Sequence, residues 1–456
     1  MLSNVGMTRS WHSCLLALFA CFPTAAAAKV SAEEAARLGK DLTPLGAEQA
    51  GNKAQTIPAW TGGLLTPKSY EAGKTLPDPF AVDQALVTVT GQNYSEHSAH
   101  LTPGQIALFK QYPQTYSIKI YPTQRSAIFP QWLYDETVKN ATRVELANNG
   151  SSFSGTVRGF PFPLPQNGRE ALWNHMARYV TKGLKGCSSK AITTEGGDHV
   201  VERGCFELSF RYNHPDTTLD NFKNQYAYIL SKTISPPIKA GDAVLLRVPF
   251  DRAKEETLLY SYNAGQRKMR RIGEVGYDHP LNDGLTTHDQ VDMFNGPMDR
   301  YQFELKGKQE IYVPYNTYRL HASSTKYTDM IRRGHINPEL ARWELHRVWV
   351  IEATLVPGAK HIYAKRVFYV DEDSWLILLQ DIYDARGEFW RTSVTHAITY
   401  YNVPVVANPL QVHYDLQSRR YVIIGLTNEE KERVIYDWYQ PPEYFTTSQL
   451  KRFVDQ

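Results

Sequence analysis

The run Asp371-Glu372-Asp373 sets three carboxylates side by side, a density of oxygen donors that would suit a hard cation such as calcium. It also lies between two strongly apolar segments, where consecutive acids are the composition of a solvated hairpin turn, and that is the expectation here. His288-Asp289 with Asp292 mixes nitrogen and oxygen donors, but the spacing fits no standard zinc or calcium motif, so no metal ligands are assigned. Arg267, Lys268, Arg270 and Arg271 form a basic run. On a strand it divides, Arg267 and Arg271 falling with Met269 on one face, Lys268 and Arg270 on the other. Arg267, Arg270 and Arg271 suit contact with anionic lipid head groups or a membrane-protein partner. The alternative is an edge strand kept from aggregating by its charge. His175, beside Trp173-Asn174, fits a hydrogen-bonded helix–sheet contact better than catalysis. The chain has no Gly-x-Ser-x-Gly elbow, no His-Glu-x-x-His and no phosphate-cradling glycine loop, so no catalytic residue and no cofactor is assigned. A triad is defined in space, which keeps a lipid-ester hydrolase open as a lesser reading.

Those side chains need a scaffold, and the composition bounds it. The chain has 456 residues, 42% apolar and 12% aromatic, with 28 Tyr and 18 Phe, which favours a pleated β architecture. Fifty basic and 47 acidic residues nearly balance, which argues against nucleic acid as the main partner. Residues 1–28 read as a secretory signal: Arg9, an apolar stretch from Cys14 to Phe22, then Ala25 to Ala28 for cleavage. Leu18-Phe19-Ala20-Cys21 loosely resembles a lipoprotein box, which leaves lipid attachment at Cys21 as the minor alternative to ordinary cleavage into the periplasm. Two cysteines follow, Cys187 and Cys205. In an exported chain an even pair suggests a disulfide, and the turn signal Glu195-Gly196-Gly197-Asp198 would fold a hairpin that brings them together.

Residues 29–100 are expected to be an extended, proline-punctuated segment attached to a single domain spanning 29–456. Ser31 with Glu34 predicts a capped helix over 30–40, and Thr102-Pro103 opens another that ends near Tyr112. Strands are expected within 115–160, and a helix over 168–181. Beyond residue 200 the pattern is nearly all β, with short turns such as Asn263 to Gln266 that make neighbours antiparallel. Two short helices are expected near the C-terminus, over 428–436 and 447–454. In 349–355 one face carries Trp349, Ile351, Ala353 and Leu355. Ile362, Phe368 and Val370 share a face further on. Such one-sided strands belong to a sheet with one wet face. The fold class is therefore mainly β: a large curved antiparallel sheet, a half-barrel around a hydrophobic cavity, with a few covering helices. Trp349, Ile351, Leu355, Ile362, Phe368 and Trp375 are the candidate cavity residues. A fully packed core would show the same pattern.

Several long motifs in order also resemble a known family. They are Asp41-Leu42-Thr43-Pro44-Leu45-Gly46, Ile57-Pro58-Ala59-Trp60-Thr61-Gly62-Gly63, Gly159-Phe160-Pro161-Phe162-Pro163, Glu170-Ala171-Leu172-Trp173-Asn174-His175 and Tyr369-Val370-Asp371-Glu372-Asp373-Ser374-Trp375. They resemble the domain of unknown function 1329 family over roughly residues 29–444. The resemblance implies a fold like the periplasmic lipoprotein carriers LolA and LolB. It further implies a hydrophobic or lipid ligand, and partnership with an inner-membrane exporter of the resistance-nodulation-division (RND) type and an outer-membrane protein. It carries no catalytic residues. A non-enzymatic carrier is the leading reading, with an envelope assembly scaffold as its rival.

Overall fold

The computed structural model describes residues 30–455, apart from 69, 72–75, 253 and 274; the signal segment and Cys21 lie outside the described residues. The helices are α1 (Ala32–Ala35), α2 (Pro103–Gln111), α3 (Gln131–Arg143), α4 (Gly168–Met176), α5 (Tyr327–Met330) and α6 (Thr447–Asp455). The first strands are β1 (Val87–Thr90), β2 (Ser117–Ile120), β3 (Glu145–Ala147), β4 (Ser152–Ser154), β5 (Gly183–Thr193), β6 (His199–Phe210), β7 (Gln225–Ser235), β8 (Ala243–Pro249), β9 (Leu258–Asn263) and β10 (Lys268–Ile272). After them come β11 (Pro280–Leu281), β12 (Thr286–Thr287), β13 (Tyr301–Pro314), β14 (Trp343–Leu355), β15 (Lys365–Asp371), β16 (Ile377–Tyr383), β17 (Phe389–Tyr400), β18 (Val405–Asp415), β19 (Arg420–Leu426) and β20 (Ile435–Tyr436). Among the described residues no helix is long and apolar enough to cross a membrane.

Sixteen strands form one open sheet in the order β1-β2-β14-β15-β16-β17-β18-β19-β5-β6-β7-β8-β9-β10, with β13 beside β14 and β20 beside β5. Its strand pairs are antiparallel except β2 with β14. The expected class, mainly β with one large sheet and few helices, holds. Several elements differ from expectation. Helix α3 stands where strands were expected: Leu133, Tyr134, Thr137 and Ala141 recur at helical spacing and are buried. Strand β5 is the first arm of the expected cysteine hairpin and runs back to Gly183 although Gly183, Gly186, Ser188 and Ser189 have little β preference; it lies between β6 and β19, whose ladders satisfy its backbone. The expected helix over 428–436 is instead an irregular segment ending in β20, pinned by Glu430 to Arg203 and to Ser189. Helix α1 is a single turn, closed by the Ser31–Glu34 capping box.

Cys187 and Cys205 are register partners on β5 and β6 and form a disulfide. It sits in a cluster with Leu230, Leu245, Phe445, Leu450 and Phe453, where α6 packs on the outer face of β7 and β8. Removing the cross-link by Cys187→Ser with Cys205→Ser is expected to cost about 3 kcal/mol, the value for an 18-residue separation. Urea unfolding with and without reductant checks this; an unchanged midpoint would show that packing alone holds the hairpin.

One segment of the chain runs across the face of the sheet. Lys190 on β5 donates to Asn282, and Arg420 on β19 pairs with Asp283. Arg391 on β17 donates to the Gly284 carbonyl. Gln290 donates to Ser393 on β17 and meets Gln380 on β16 and His413 on β18. Arg366 on β15 grips Asp289. The stretch from 282 to 290 thus lies across six neighbouring strands on one face of the sheet. We call the face that meets 282–294 the inner face.

Candidate ligand-binding site

The wet face expected for strands 349–355 and 361–370 is covered only in part: Val350, Val367 and Tyr369 are buried, whereas Glu352 and Lys365 are half-exposed and Thr354 is exposed. The extended N-terminal segment lies over the turn that follows β15. Trp375 donates its indole N–H to the Leu45 carbonyl, Arg347 donates to Ala50, and Arg125 to Gln49. Asp371-Glu372-Asp373, expected as a solvated turn, is buried and ion-paired instead. Arg125 grips Asp373 in a two-point contact, while Arg347 and Lys308 pair with Glu372. His346, Asp371 and Asp373 bring donor atoms within 4.8 Å of one another, but His346 bonds Glu344 and Asp373 is held by Arg125. Burial and the neighbouring Asp373 push the Asp371 carboxyl up to about 6. These groups tie the N-terminal segment to the sheet.

On the inner side of the same strands, the chain fills the hollow. Phe368 meets Phe294 edge-on at 5.4 Å, and Ile351 is fully buried. Trp349 stacks on Trp375 at 6.1 Å with Lys308 over its ring. Leu355 is half-buried, and Ile362 lies in the connection before β15, 39% exposed. The six candidate residues therefore do not share one open space: four pack into the core, one lies at its margin and one faces solvent. His175 on α4 accepts from the Ile377 N–H and donates from Nε2 to the Asp292 carbonyl, a neutral structural contact. Burial and then Arg178 push its pKa down to about 4.

Ser393 and His413 form a hydroxyl–imidazole contact of 2.8 Å, an arrangement that resembles a hydrolase pair. Both are buried under Gln290, and burial with Arg391 pushes His413 down to about 3. An imidazole depressed in this way is a poor general base at neutral pH.

The open space is at the other end of the sheet. Cross-strand register aligns Leu184 with Leu208, Leu208 with Ile229, Ile229 with Leu246, Leu246 with Leu259, and Leu259 with Ile272. One apolar row thus crosses β5 to β10 on the inner face, about 24 Å over five strand spacings. Phe206, Phe210 and Val244 flank it. Every one of these side chains is partly exposed, Ile272 to 36%, and none packs into the clusters that fill the rest of the molecule. The outer face is closed by α6 and the disulfide over β7 and β8, while on β9 and β10 Tyr260, Tyr262 and Met269 are half-buried and Arg271 is exposed. At its β8–β9 end it opens into a pocket of about 80 Å³ between Leu246, Leu259, Arg252, Val275 and Tyr277. A second pocket of about 90 Å³, lined by Trp173, Met176 and Phe250, shares Arg252 and Tyr277. Of the basic run, Arg270 falls on the row's face, Arg271 falls with Met269 on the face toward α6, and Arg267 sits in the preceding turn. The row escaped the sequence reading. Its signal was the alternation Phe206, Leu208, Phe210 against Cys205, Glu207, Ser209, which marks a face but not which face is left uncovered.

Comparison with known proteins places the chain. The family model described as protein of unknown function (DUF1329) matches residues 88–451. An uncharacterized protein of Pseudomonas aeruginosa is 42% identical over 444 residues, 97% of each chain. Among solved structures, a DUF1329 family protein from Desulfovibrio piger is 13% identical, covering 62% of this chain and 97% of its own, with a TM-score of 0.43. A LolA superfamily protein from Nitrosomonas europaea is 11% identical, covering 62% and 99%, with a TM-score of 0.37. On the strength of the family match and the 42% relative, this chain belongs to the DUF1329 family of proteins of unknown function.

Proposed function

We propose that the protein is a periplasmic carrier that holds one chain-like hydrophobic molecule along the inner-face row from Leu184 to Ile272, without chemistry. The observation that carries this reading is the row itself: six aligned apolar side chains, half-covered, on strands whose other face is closed over β7 and β8. A lipid chain spans about half of a roughly 30 Å hydrocarbon layer, so the row is long enough for one chain. Each methylene removed from water contributes about 0.8 kcal/mol, enough over a chain to hold a ligand yet release it to an acceptor of higher affinity. An RND-type exporter and an outer-membrane protein, as donor and acceptor, belong to the same proposal.

Leu246→Glu places a carboxylate in the middle of the row. Displacement of a fluorescent fatty acid should weaken at least about thirtyfold, since a charge buried under a chain costs more than 2 kcal/mol. Leu246 is partly exposed, so the melting temperature should move little. Equal binding by wild type and variant would remove the row as the site.

A further inference from the structure

Arg252 is half-buried and lines both pockets at the end of the apolar row. Arg125, Arg178, Arg342, Arg347, Arg366 and Arg391 each pair with a carboxylate. Arg252 donates only to the backbone and side-chain oxygens of Asn295, and among the described residues no carboxylate forms an ion pair with it. Burial pushes its pKa down, the reverse of Arg125, Arg342 and Arg366, whose carboxylates outweigh burial and raise them. A guanidinium partly withdrawn from water at a pocket wall, with no carboxylate beside it, is a ready partner for an anion. Arg252 lines both pockets at the end of the apolar row, beside Leu246 and Leu259 in one and Trp173 and Phe250 in the other. The nearest strand edge adds Lys268 and Arg270 on the same face. Glu256 and Asp289 also line the pocket; Asp289 is neutralised by Arg366 and His361, and Glu256 is exposed at the rim.

We infer that the ligand is a single-chain amphiphile with an anionic head, carboxylate or phosphate, which Arg252 receives while the chain lies along the row. The inference rests on the carrier reading and adds the head-group chemistry and the orientation. Asn295 holds the guanidinium in a fixed plane, which suits two-point contact with such a head. The chain then runs from Leu259 and Leu246 toward Leu184.

The test compares dodecanoate, dodecyl phosphate and dodecanol on the full mature chain by calorimetry, with acetate and inorganic phosphate as chainless controls. Wild type should bind both anionic amphiphiles about tenfold more tightly than the alcohol, and the chainless anions should not compete. Arg252→Met should abolish the preference by weakening the anions while leaving dodecanol unchanged. Arg252→Gln, which can keep a bond to Asn295, should do the same and guards against a folding defect. Equal affinity of wild type for dodecanoate and dodecanol, or equal weakening of both by Arg252→Met, would overturn the head-group assignment while leaving the carrier reading intact. Competition by inorganic phosphate alone would also overturn it, since the anion would then be the ligand. Failure of wild type to bind any of the three chains would instead bring down the carrier reading, and the inference with it.

Discussion

Arg366→Met is expected to destabilise the protein by about 3–5 kcal/mol, the usual result of breaking a buried ion pair from one side. Arg366 and Asp289 meet through two contacts of 2.8 and 3.0 Å, and both side chains are almost wholly enclosed. Burial works against the Asp289 charge, but Arg366 and then His361 outweigh it and hold the carboxyl well below the usual carboxylate range. Without the guanidinium, Asp289 keeps only His361 at 3.2 Å and the Thr287 hydroxyl. The consequence is more than a loss of stability. Asp289 anchors the segment that fills the sheet's inner face, next to Gln290 and Phe294, so loosening it should extend the hollow toward Phe368 and Ile351. Urea denaturation should show the loss, and an environment-sensitive hydrophobic dye should bind more strongly to the variant than to wild type. Arg366→Met combined with Asp289→Asn should recover much of the stability, because a matched neutral pair leaves no buried charge. A single variant within 1 kcal/mol of wild type would mean that the segment is held by its other contacts.

Acid should begin to weaken the fold above the range where carboxylates titrate. His175 and His321 are pushed down to about 4, and His396 and His413 to about 3, in each case first by burial. In the unfolded chain each titrates near 6.5. A depressed folded value gives stability that is complete above pH 6.5 and is lost as pH falls toward the folded values, because the unfolded state takes up protons first. Asp371 and Asp381, raised to about 6 by burial, act in the opposite sense: their protonation favours the folded state as pH falls from about 6 to about 4. Four histidines against two aspartates leave a net uptake on unfolding of about two protons. At about 1.4 kcal/mol per proton and pH unit, stability should fall by roughly 5 kcal/mol between pH 6 and pH 4, a large part of the 5–15 kcal/mol typical of a domain. Unfolding free energies measured at intervals from pH 7 to pH 4 check the slope. His413→Gln should flatten it by about one proton, whereas a slope indifferent to all four histidines would show that they become charged within the folded state.

How much of this was legible in the residues follows from what each pattern specifies. The helix at Thr102-Pro103 was readable because a cap and an N1 proline act locally. The strands beyond residue 200 were readable because alternation is also local, and the Cys187–Cys205 pairing because a hairpin turn lies between them. Helix α3 was legible too, in the spacing of Leu133, Tyr134, Thr137 and Ala141, but the neighbouring β-like segments masked it. Strand β5 was legible only as the hairpin arm that carries Cys187: its Gly and Ser residues extend it because two other strands supply ladders on both sides.

The same division holds for the site. The sequence by itself determined a mainly β chain with one cross-linked hairpin, a capped set of short helices and several strands bearing an apolar face. Only the tertiary structure decided which apolar face is left half-covered. Trp349, Phe368 and Leu246 look alike as residues on alternating strands. The segment 282–294 packs against the first two strands' inner face, α6 closes the outer face of the third, and the row through Leu246 is what neither covers. Burial depends on what arrives from distant parts of the chain, and alternation records only that a strand has two sides.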